Sequence, residues 1–129
     1  MSAAQTEAAA RRLVEEYNKG TPAWVAACHA ETTVWRELPI LGGAGRSGGR
    51  AELQAAADGA VVVFPDRRLD VISVIAGDDR AALEVDWTAT AARDTPWAKA
   101  GEKLHFRAVM LLKVQAGRIV EEIDYVVPI

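Results

Sequence analysis

The spacing of apolar residues changes partway along the chain. In the first half they recur at intervals of three and four residues, as in Ala10, Leu13, Val14 and Tyr17, a spacing that indicates amphipathic helices. In the second half apolar and polar residues alternate over four long runs, which indicates strands with one buried face each. The pattern therefore predicts an α+β protein whose helices cover one face of a sheet.

Three helices are predicted, each with its own boundary signal. Gly20 can adopt the positive φ that ends a helix, Thr21-Pro22 is a typical helix start, and Phe64-Pro65-Asp66 breaks an apolar stripe. A strand and a glycine-rich loop separate the second helix from the third. The predicted ranges are 6–19, 22–30 and about 50–63 for the helices, 32–38 for the strand and 42–49 for the loop.

Four long strands follow the third helix. Short turns at Gly77-Asp78-Asp79 and Ala116-Gly117 make the strands on either side antiparallel neighbours. A longer loop that holds Pro96, Trp97 and Gly101 joins the middle two strands. The predicted strands are Arg68 to Ala76, Arg80 to Ala92, Lys103 to Gln115 and Arg118 to Val127.

Composition narrows the classes of protein that fit this pattern. The 129 residues suit a single domain over 1–129, and the net charge of -3 lacks the basic excess that nucleic-acid binding uses. The single Cys28 excludes an internal disulfide. No apolar run is long enough to span a membrane, and no targeting segment is recognisable, so we expect a cytoplasmic protein.

Several familiar chemical motifs are weak or missing. The GxGxxG spacing of Gly43 to Gly48 needs a parallel βαβ unit to bind a dinucleotide, and hairpins follow it instead. Cys28 and His29 are helix neighbours whose side chains diverge, which argues against a nucleophile and base pair. His29 and His105 lie far apart on different elements. We therefore expect neither a cofactor nor a metal site.

Carboxylates on the strands are the most informative polar residues. Glu84 and Asp86 share one face of their strand, and Glu122 and Asp124 share one face of theirs. For Glu84 and Glu122, a solvent-facing position is an equally good interpretation. Asp86 and Asp124 lie in mid-strand between large apolar residues, although aspartate is a poor strand former. In a water-poor cavity such a carboxyl has a raised pKa and can exchange protons near neutral pH.

Five stretches carry a resemblance to a known family. They are Leu13 to Gly20, Gly45-Arg46-Ser47-Gly48-Gly49-Arg50, Phe64-Pro65-Asp66, Glu84-Val85-Asp86-Trp87 and Ala116 to Tyr125. With them the chain resembles the SnoaL-like and limonene-epoxide-hydrolase-like branch of the NTF2-like superfamily, which also contains the ketosteroid isomerases. The resemblance implies a cone-shaped α+β barrel in which three N-terminal helices pack on a curved, mostly antiparallel sheet around one pocket. It also implies a homodimer.

The same resemblance implies catalytic roles. The epoxide hydrolases of the family use an aspartate on the last strand as general base and an Arg-x-Asp pair on a middle strand, which makes Asp124 the base and Asp86 the acid. The family's arginine, tyrosine and asparagine positions hold Glu84, Trp35 and Glu37 here. Four acidic residues on one wall would repel one another and raise at least one pKa. Glu37 is expected to take part in proton transfer.

An apolar lining completes the predicted pocket. By the resemblance, Trp35 stacks on the ligand or closes the rim, and Glu84 lies on the wall. The remaining lining residues are Val61, Phe64, Phe106, Ala108 and Val126. Strand alternation turns His105 and Arg107 away from this pocket, and the row Trp87, His105, Arg107 and Val109 is the candidate dimer surface.

These observations support one functional hypothesis and two alternatives. The hypothesis is an enzyme acting on an apolar, oxygenated small molecule by carboxylate general acid/base catalysis, of the isomerase or cyclase type. Epoxide hydrolysis with a rearranged water site is one alternative. The other is a non-catalytic module for ligand binding or dimerisation.

Overall fold

The computed structural model describes all 129 residues and contains three helices and six strands. The helices are α1 (Ala3–Tyr17), α2 (Trp24–Cys28) and α3 (Arg50–Val63). The strands are β1 (His29–Glu37), β2 (Arg46–Gly49), β3 (Arg68–Ala76), β4 (Arg80–Thr90), β5 (Lys103–Gln115) and β6 (Arg118–Pro128). The α+β class predicted from the spacing of apolar residues is confirmed.

All six strands form one sheet in the order β2-β1-β6-β5-β4-β3. The β3–β4 and β5–β6 pairs are antiparallel, as the short turns predict. The β4–β5 and β1–β2 pairs are antiparallel as well. Only the pairing of β1 with β6 is parallel. This parallel pair joins the first and last strands, so it brings residues from both ends of the chain together at the centre of the sheet.

The segment around the glycines differs from the prediction. Residues 46–49 form β2 rather than a loop, because they pair with β1 in a register that includes Glu37 with Arg46 and Val34 with Gly49. The third helix therefore follows two strands, so the expectation of three N-terminal helices is wrong in that detail. A strand of four residues is too short to show a clear alternation of apolar and polar positions, so no periodic pattern indicates this pairing.

The first two helices also have different boundaries. The α1 helix begins at Ala3, because the side chains of Ser2 and Gln5 form a capping box with each other's backbone N–H groups. The α2 helix ends at Cys28, since His29 is extended and opens β1. These differences move His29 from the end of a helix to the start of a central strand.

The inner faces of the helices and sheet form two apolar clusters. The larger has 18 buried residues, including Leu13, Val25, Leu83 and Leu112. The smaller has six and lies around Phe64, Ala89 and Phe106. None of the helices combines the length and apolar character needed to cross a membrane.

Two glycines give a matched test of the β1–β2 connection. Gly45 has a φ of +76°, and a Cβ there would lie 2.6 Å from the Glu37 carbonyl oxygen. We expect Gly45→Ala to lower the free energy of unfolding by about 1–3 kcal/mol. Gly59 lies exposed within α3 with open space around it, so Gly59→Ala should instead raise it by about 0.5–1 kcal/mol. Denaturant unfolding of both variants measures the difference, and equal effects would contradict the assignment of strain to Gly45.

Candidate active site

A cavity of about 190 Å³ lies between the helices and the sheet. Of the 21 residues that line it, 16 are hydrophobic. Its aromatic content is high, since seven of the eight aromatic residues in the chain line it. They are Tyr17, Trp24, Trp35, Phe64, Trp87, Trp97 and Phe106. Few groups in such a wall can replace the hydration shell of a charge, so ionisable groups inside it are strongly perturbed.

Two carboxylates of β6 face this cavity. Glu122 and Asp124 are two positions apart on the strand, and both are buried, with 1 % and 9 % exposure. Their carboxyl groups lie within hydrogen-bonding reach of each other. The Trp35 indole Nε1 donates to Asp124 Oδ2 at 3.1 Å. Trp35 can do so because β1 is parallel to β6 and its neighbour in the register is Glu122.

Burial shifts the pKa of both carboxyl groups upward. Burial raises the pKa of Glu122 to about 7. Burial, then the charge of Glu122, raises the pKa of Asp124 well above its usual value, and the Trp35 indole only partly offsets this. Asp124 Oδ1 is buried, and it accepts no hydrogen bond when both carboxyl groups are ionised. One proton shared between the two carboxyl groups satisfies that oxygen and removes the repulsion.

His29 contacts the carboxyl group of Glu122. Its Nε2 lies 2.8 Å from Glu122 Oε1, and both side chains are almost completely buried. Burial lowers the pKa of His29 to about 4, so the imidazole is neutral and a single proton lies in this contact. The histidine therefore orients the glutamate without adding a charge to the cavity. The edge of the Trp24 ring packs against the imidazole at 5.5 Å.

The cavity opens to solvent between β1, β2 and the loop after β4. Arg46 donates to both carboxylate oxygens of Glu37, at 3.0 and 3.1 Å. The Arg46 guanidinium also lies 5.3 Å from the Trp35 ring centroid. Trp97, which is 43 % exposed, lies on the loop after β4. Glu37 therefore lines the cavity, as expected, but its carboxylate is held by an ion pair at the entrance.

A second group of polar side chains surrounds Tyr17 of α1 on the cavity wall. Trp87 Nε1 donates to the Tyr17 hydroxyl at 2.8 Å. The Tyr17 ring contacts Trp24 at 5.3 Å between centroids, and the Arg67 guanidinium lies 5.0 Å from its centre. Burial raises the pKa of Tyr17, so its hydroxyl group keeps its proton.

Asp86 and Glu84 lie outside the cavity, which corrects the expectation that both face it. Asp86 is directly paired with Arg107 in the β4–β5 register, and paired residues point to the same face. Arg107 Nε donates to Asp86 at 3.0 Å, and His105 lies 3.1 Å from the same carboxylate. The Arg107 hydrogen bond holds the pKa of Asp86 below its usual value. Glu84 instead accepts a hydrogen bond from Ser73.

Three apolar placements also differ from expectation. Trp35 lines the cavity, as expected, but it is only 3 % exposed and lies in the core beside Asp124, so it does not close the rim. Trp87 faces the cavity and is not part of an outer row with His105 and Arg107. Val61 does not line the cavity, because the cavity-facing stripe of α3 passes through Ala60 and Val61 lies about 100° further around the helix. The other expected lining residues do line it: Phe64, Phe106, Ala108 and Val126.

Comparison with known protein families shows to which family this chain belongs. The model of the SnoaL-like domain matches residues 10–122. The chain belongs to the SnoaL-like family. It thereby falls within the NTF2-like superfamily, to which its ketosteroid isomerase-like structural neighbours also point. A comparison with curated proteins found no match.

Solved structures show the same fold as this SnoaL-like protein. AclR from Streptomyces galilaeus, proposed to be a hydroxylase, matches with a TM-score of 0.82 at 23 % identity over 97 % of this chain and 80 % of that chain. IdmH from Streptomyces antibioticus, proposed to be a polyketide cyclase, gives 0.79 at 18 % identity over 95 % and 91 %. A ketosteroid isomerase-like fold from Catenulispora acidiphila, in complex with trimethylamine, gives 0.74 at 12 % identity over 91 % and 83 %.

Sequence reasoning missed four polar residues that line this SnoaL-like cavity, Tyr17, Trp24, Arg46 and Arg67, and also His29, which contacts Glu122 from behind the wall. For Glu122 it left a solvent-facing position open. Tyr17 and Trp24 were visible only as apolar positions of helices, and His29 only as a neighbour of Cys28. Arg67 follows the Phe-Pro-Asp turn, where no periodicity indicates the direction of a side chain. Cys28 itself is buried, and burial raises the pKa of its thiol to about 11, which leaves it without thiolate character.

The buried glutamate of the SnoaL-like cavity predicts a pH-dependent stability difference. Between about pH 4.5 and pH 7, the unfolded chain has lost the Glu122 proton and the folded chain retains it. The wild type therefore loses stability as pH rises through this window, whereas Glu122→Gln has no such proton to lose. We expect the difference in free energy of unfolding to move in favour of the variant by about 3 kcal/mol across the window.

Denaturant unfolding at several pH values measures this difference. His29 titrates in the opposite sense, with its stability contribution rising between about pH 4 and 6.5, but it is present in both proteins and largely cancels. Glu121→Gln, on the other face of β6, is the control for the substitution itself. A difference that does not vary with pH would contradict a raised pKa at Glu122.

Proposed function

We propose that this SnoaL-like protein is an enzyme of the isomerase or cyclase type that moves a proton next to a carbonyl group, with Asp124 as the general base. The observation that carries the proposal is the Glu122–Asp124 pair, buried in an aromatic cavity with a raised pKa at both carboxyl groups. Such a pair holds one proton and can accept a second at neutral pH, as general base catalysis requires.

The proposed step uses only groups that line the cavity. With the shared proton on Glu122, the Asp124 carboxylate accepts a proton from the carbon next to a substrate carbonyl. The C–H electron pair becomes a C=C bond, and the carbonyl π electrons move to oxygen to form an enolate. If the ketone is β,γ-unsaturated, the enolate is conjugated, and return of the proton from Asp124 to the γ carbon gives an isomer. If the enolate carbon instead attacks a second carbonyl group, the new C–C bond closes a ring, the π electrons of that carbonyl move to its oxygen, and the resulting alkoxide takes the proton from Asp124. The step needs no external oxidant, reductant or cofactor.

Cavity size limits the part of a substrate that can be enclosed. A cavity of about 150 Å³ lined by aliphatic and aromatic side chains accommodates benzene. The present cavity of about 190 Å³ therefore encloses one six-membered ring with small substituents. Larger substrates would extend past Arg46 and Trp97 at the entrance. This supports an apolar, monocyclic ketone, or one ring of a larger ketone, as the group that reacts.

The position of Asp86 favours this function over epoxide hydrolysis. Epoxide opening by the route the family resemblance implies requires a second acid in the cavity, and Asp86 is held on the other face by Arg107. The non-catalytic alternative leaves two adjacent buried carboxyl groups without a role, although burying them lowers stability. Structural similarity to a protein proposed to be a polyketide cyclase supports the same class of chemistry.

Removing the base tests the proposal. We expect the wild type to exchange the protons next to the carbonyl of cyclohexanone, acetophenone or 1-tetralone for deuterium in heavy water, measured by NMR. Asp124→Asn keeps the shape of the side chain and should lower the exchange rate by a factor of about 100 or more. Asp86→Asn is the matched control and should keep the wild-type rate. Equal rates for wild type and Asp124→Asn would overturn the assignment.

The pH dependence of exchange tests the role of Trp35. Exchange requires the Asp124 carboxylate, so its rate should rise with pH, with a midpoint well above the usual pKa of an aspartate. The Trp35 Nε1 hydrogen bond lowers that pKa. Trp35→Phe removes the donor and should move the midpoint to higher pH, whereas Trp97→Phe at the entrance should leave it in place. A midpoint unchanged by Trp35→Phe would show that the indole does not act on Asp124.

A further inference from the structure

Arg67 is a buried cation whose protein partners include no anion. It is 3 % exposed, and it lies in the turn between α3 and β3. Its two terminal nitrogens donate to the carbonyl oxygens of Gly20 and Thr21, at 3.5 and 3.2 Å. Its Nε is buried and has no acceptor in the protein. Buried arginine is ordinarily paired with an anion, so this arrangement requires an explanation.

A second buried N–H donor nearby, the indole of Trp24, also has no acceptor. Trp24 is 6 % exposed, and its indole Nε1 is buried without an acceptor. An indole has one donor and no acceptor, so nothing else in the side chain compensates. Both Trp24 and Arg67 line the cavity. Both also contact the ring of Tyr17, which brings the two side chains to one part of the cavity wall.

The charges on the cavity wall indicate which kind of ligand atom these donors would bind. Glu37 is neutralised by Arg46 at the entrance, which leaves the negative charge of the Glu122–Asp124 pair and the positive charge of Arg67. Proton removal by Asp124 transfers negative charge from the sheet to the substrate oxygen. A cation and an N–H donor beside that oxygen stabilise the enolate more than the ketone, which lowers the barrier to its formation.

We propose that Arg67 Nε and Trp24 Nε1 together bind the substrate's carbonyl oxygen and hold it as an enolate while Asp124 carries the proton. This inference rests on the proposed function and adds to it the residues that bind the substrate's carbonyl oxygen. The substrate is a neutral, enolisable ketone rather than an epoxide or a permanently charged acid. Arg67 and Trp24 are then catalytic residues that contact the reacting oxygen.

A purely structural role for Arg67 predicts different behaviour. In that case the guanidinium only joins the α1–α2 connection to the start of β3, through the Gly20 and Thr21 carbonyl oxygens. Its removal would then lower stability and weaken every ligand by a similar factor. The enolate-binding role predicts that the affinity for an anionic ring falls selectively, and that of a neutral ring of the same size does not.

Two probes separate these roles. Cyclohexane-1,3-dione is an enolate at mildly alkaline pH, and cyclohexanone is a neutral ring of similar size. Protein-observed NMR titration gives the dissociation constant of each for the wild type, Arg67→Met, Arg67→Lys and Trp24→Phe. We expect the wild type to prefer the enolate by about tenfold or more, because hydrogen bonds to charged groups are the stronger ones. Arg67→Met and Trp24→Phe should each reduce that preference, and Arg67→Lys should retain part of it.

Each outcome of the titrations either supports or overturns the enolate-binding site. Loss of the preference in Arg67→Met or Trp24→Phe, with cyclohexanone affinity unchanged, supports the site. No preference in the wild type, or an equal loss of both affinities in the variants, overturns it. Should Arg67→Met fail to fold, Trp24→Phe keeps the aromatic ring and tests the same site. The titrations need no turnover, so failure of deuterium exchange would refute the proposed function separately from this inference.

Discussion

Two acidic side chains, two residues apart on one strand, share an apolar cavity, and the rest of the site depends on this constraint. Glu122 and Asp124 cannot both be ionised there without a large cost, so they hold a proton between them. The neighbours fit this requirement. Neutral His29 orients Glu122, the Trp35 indole donates to Asp124, and the nearest full cation at the entrance, Arg46, is already paired with Glu37. The result is a buried carboxyl pair with raised pKa values, and the proposed general-base role depends on it.

The parallel pairing of β1 with β6 makes this arrangement possible. It places residues from the first strand beside residues from the last, so that Trp35 lies next to Glu122 and Glu37 next to Asp124 in the register. The helices then supply the opposing apolar wall and the polar groups of Tyr17 and Trp24, and the turn after α3 supplies Arg67. In the proposed function, proton transfer would belong to the sheet and binding of the substrate oxygen to the opposite wall of the cavity. This separation of charge suits the formation of an enolate.

The outer face of the sheet explains why sequence reasoning assigned one residue wrongly. Asp86 alternates with buried Val85 and half-buried Trp87, as its strand pattern shows, and Arg107 alternates with Phe106 in the same way. The family resemblance nevertheless led to the expectation that Asp86 faces the cavity. The β4–β5 register pairs Asp86 with Arg107 and so places both on the outer face. Alternation within one strand gives two faces but does not say which is buried; the pairing partner does.

The sequence by itself determined the elements, since periodicity and turn residues are local: β3 and β5 have the predicted ends, and α3 ends at the predicted break. It also singled out Asp124, which does line the cavity, because an aspartate in mid-strand between apolar residues is unusual. Tertiary structure alone decided the protonation chemistry, because a pKa depends on what surrounds a carboxyl group in space. His29 and Trp35 lie on β1, far along the chain from Glu122 and Asp124 on β6, and they contact these carboxyl groups only when the two strands pair. Likewise, no local pattern shows that Arg67 and Trp24 contact the same tyrosine ring, because that contact requires helices and sheet to pack together.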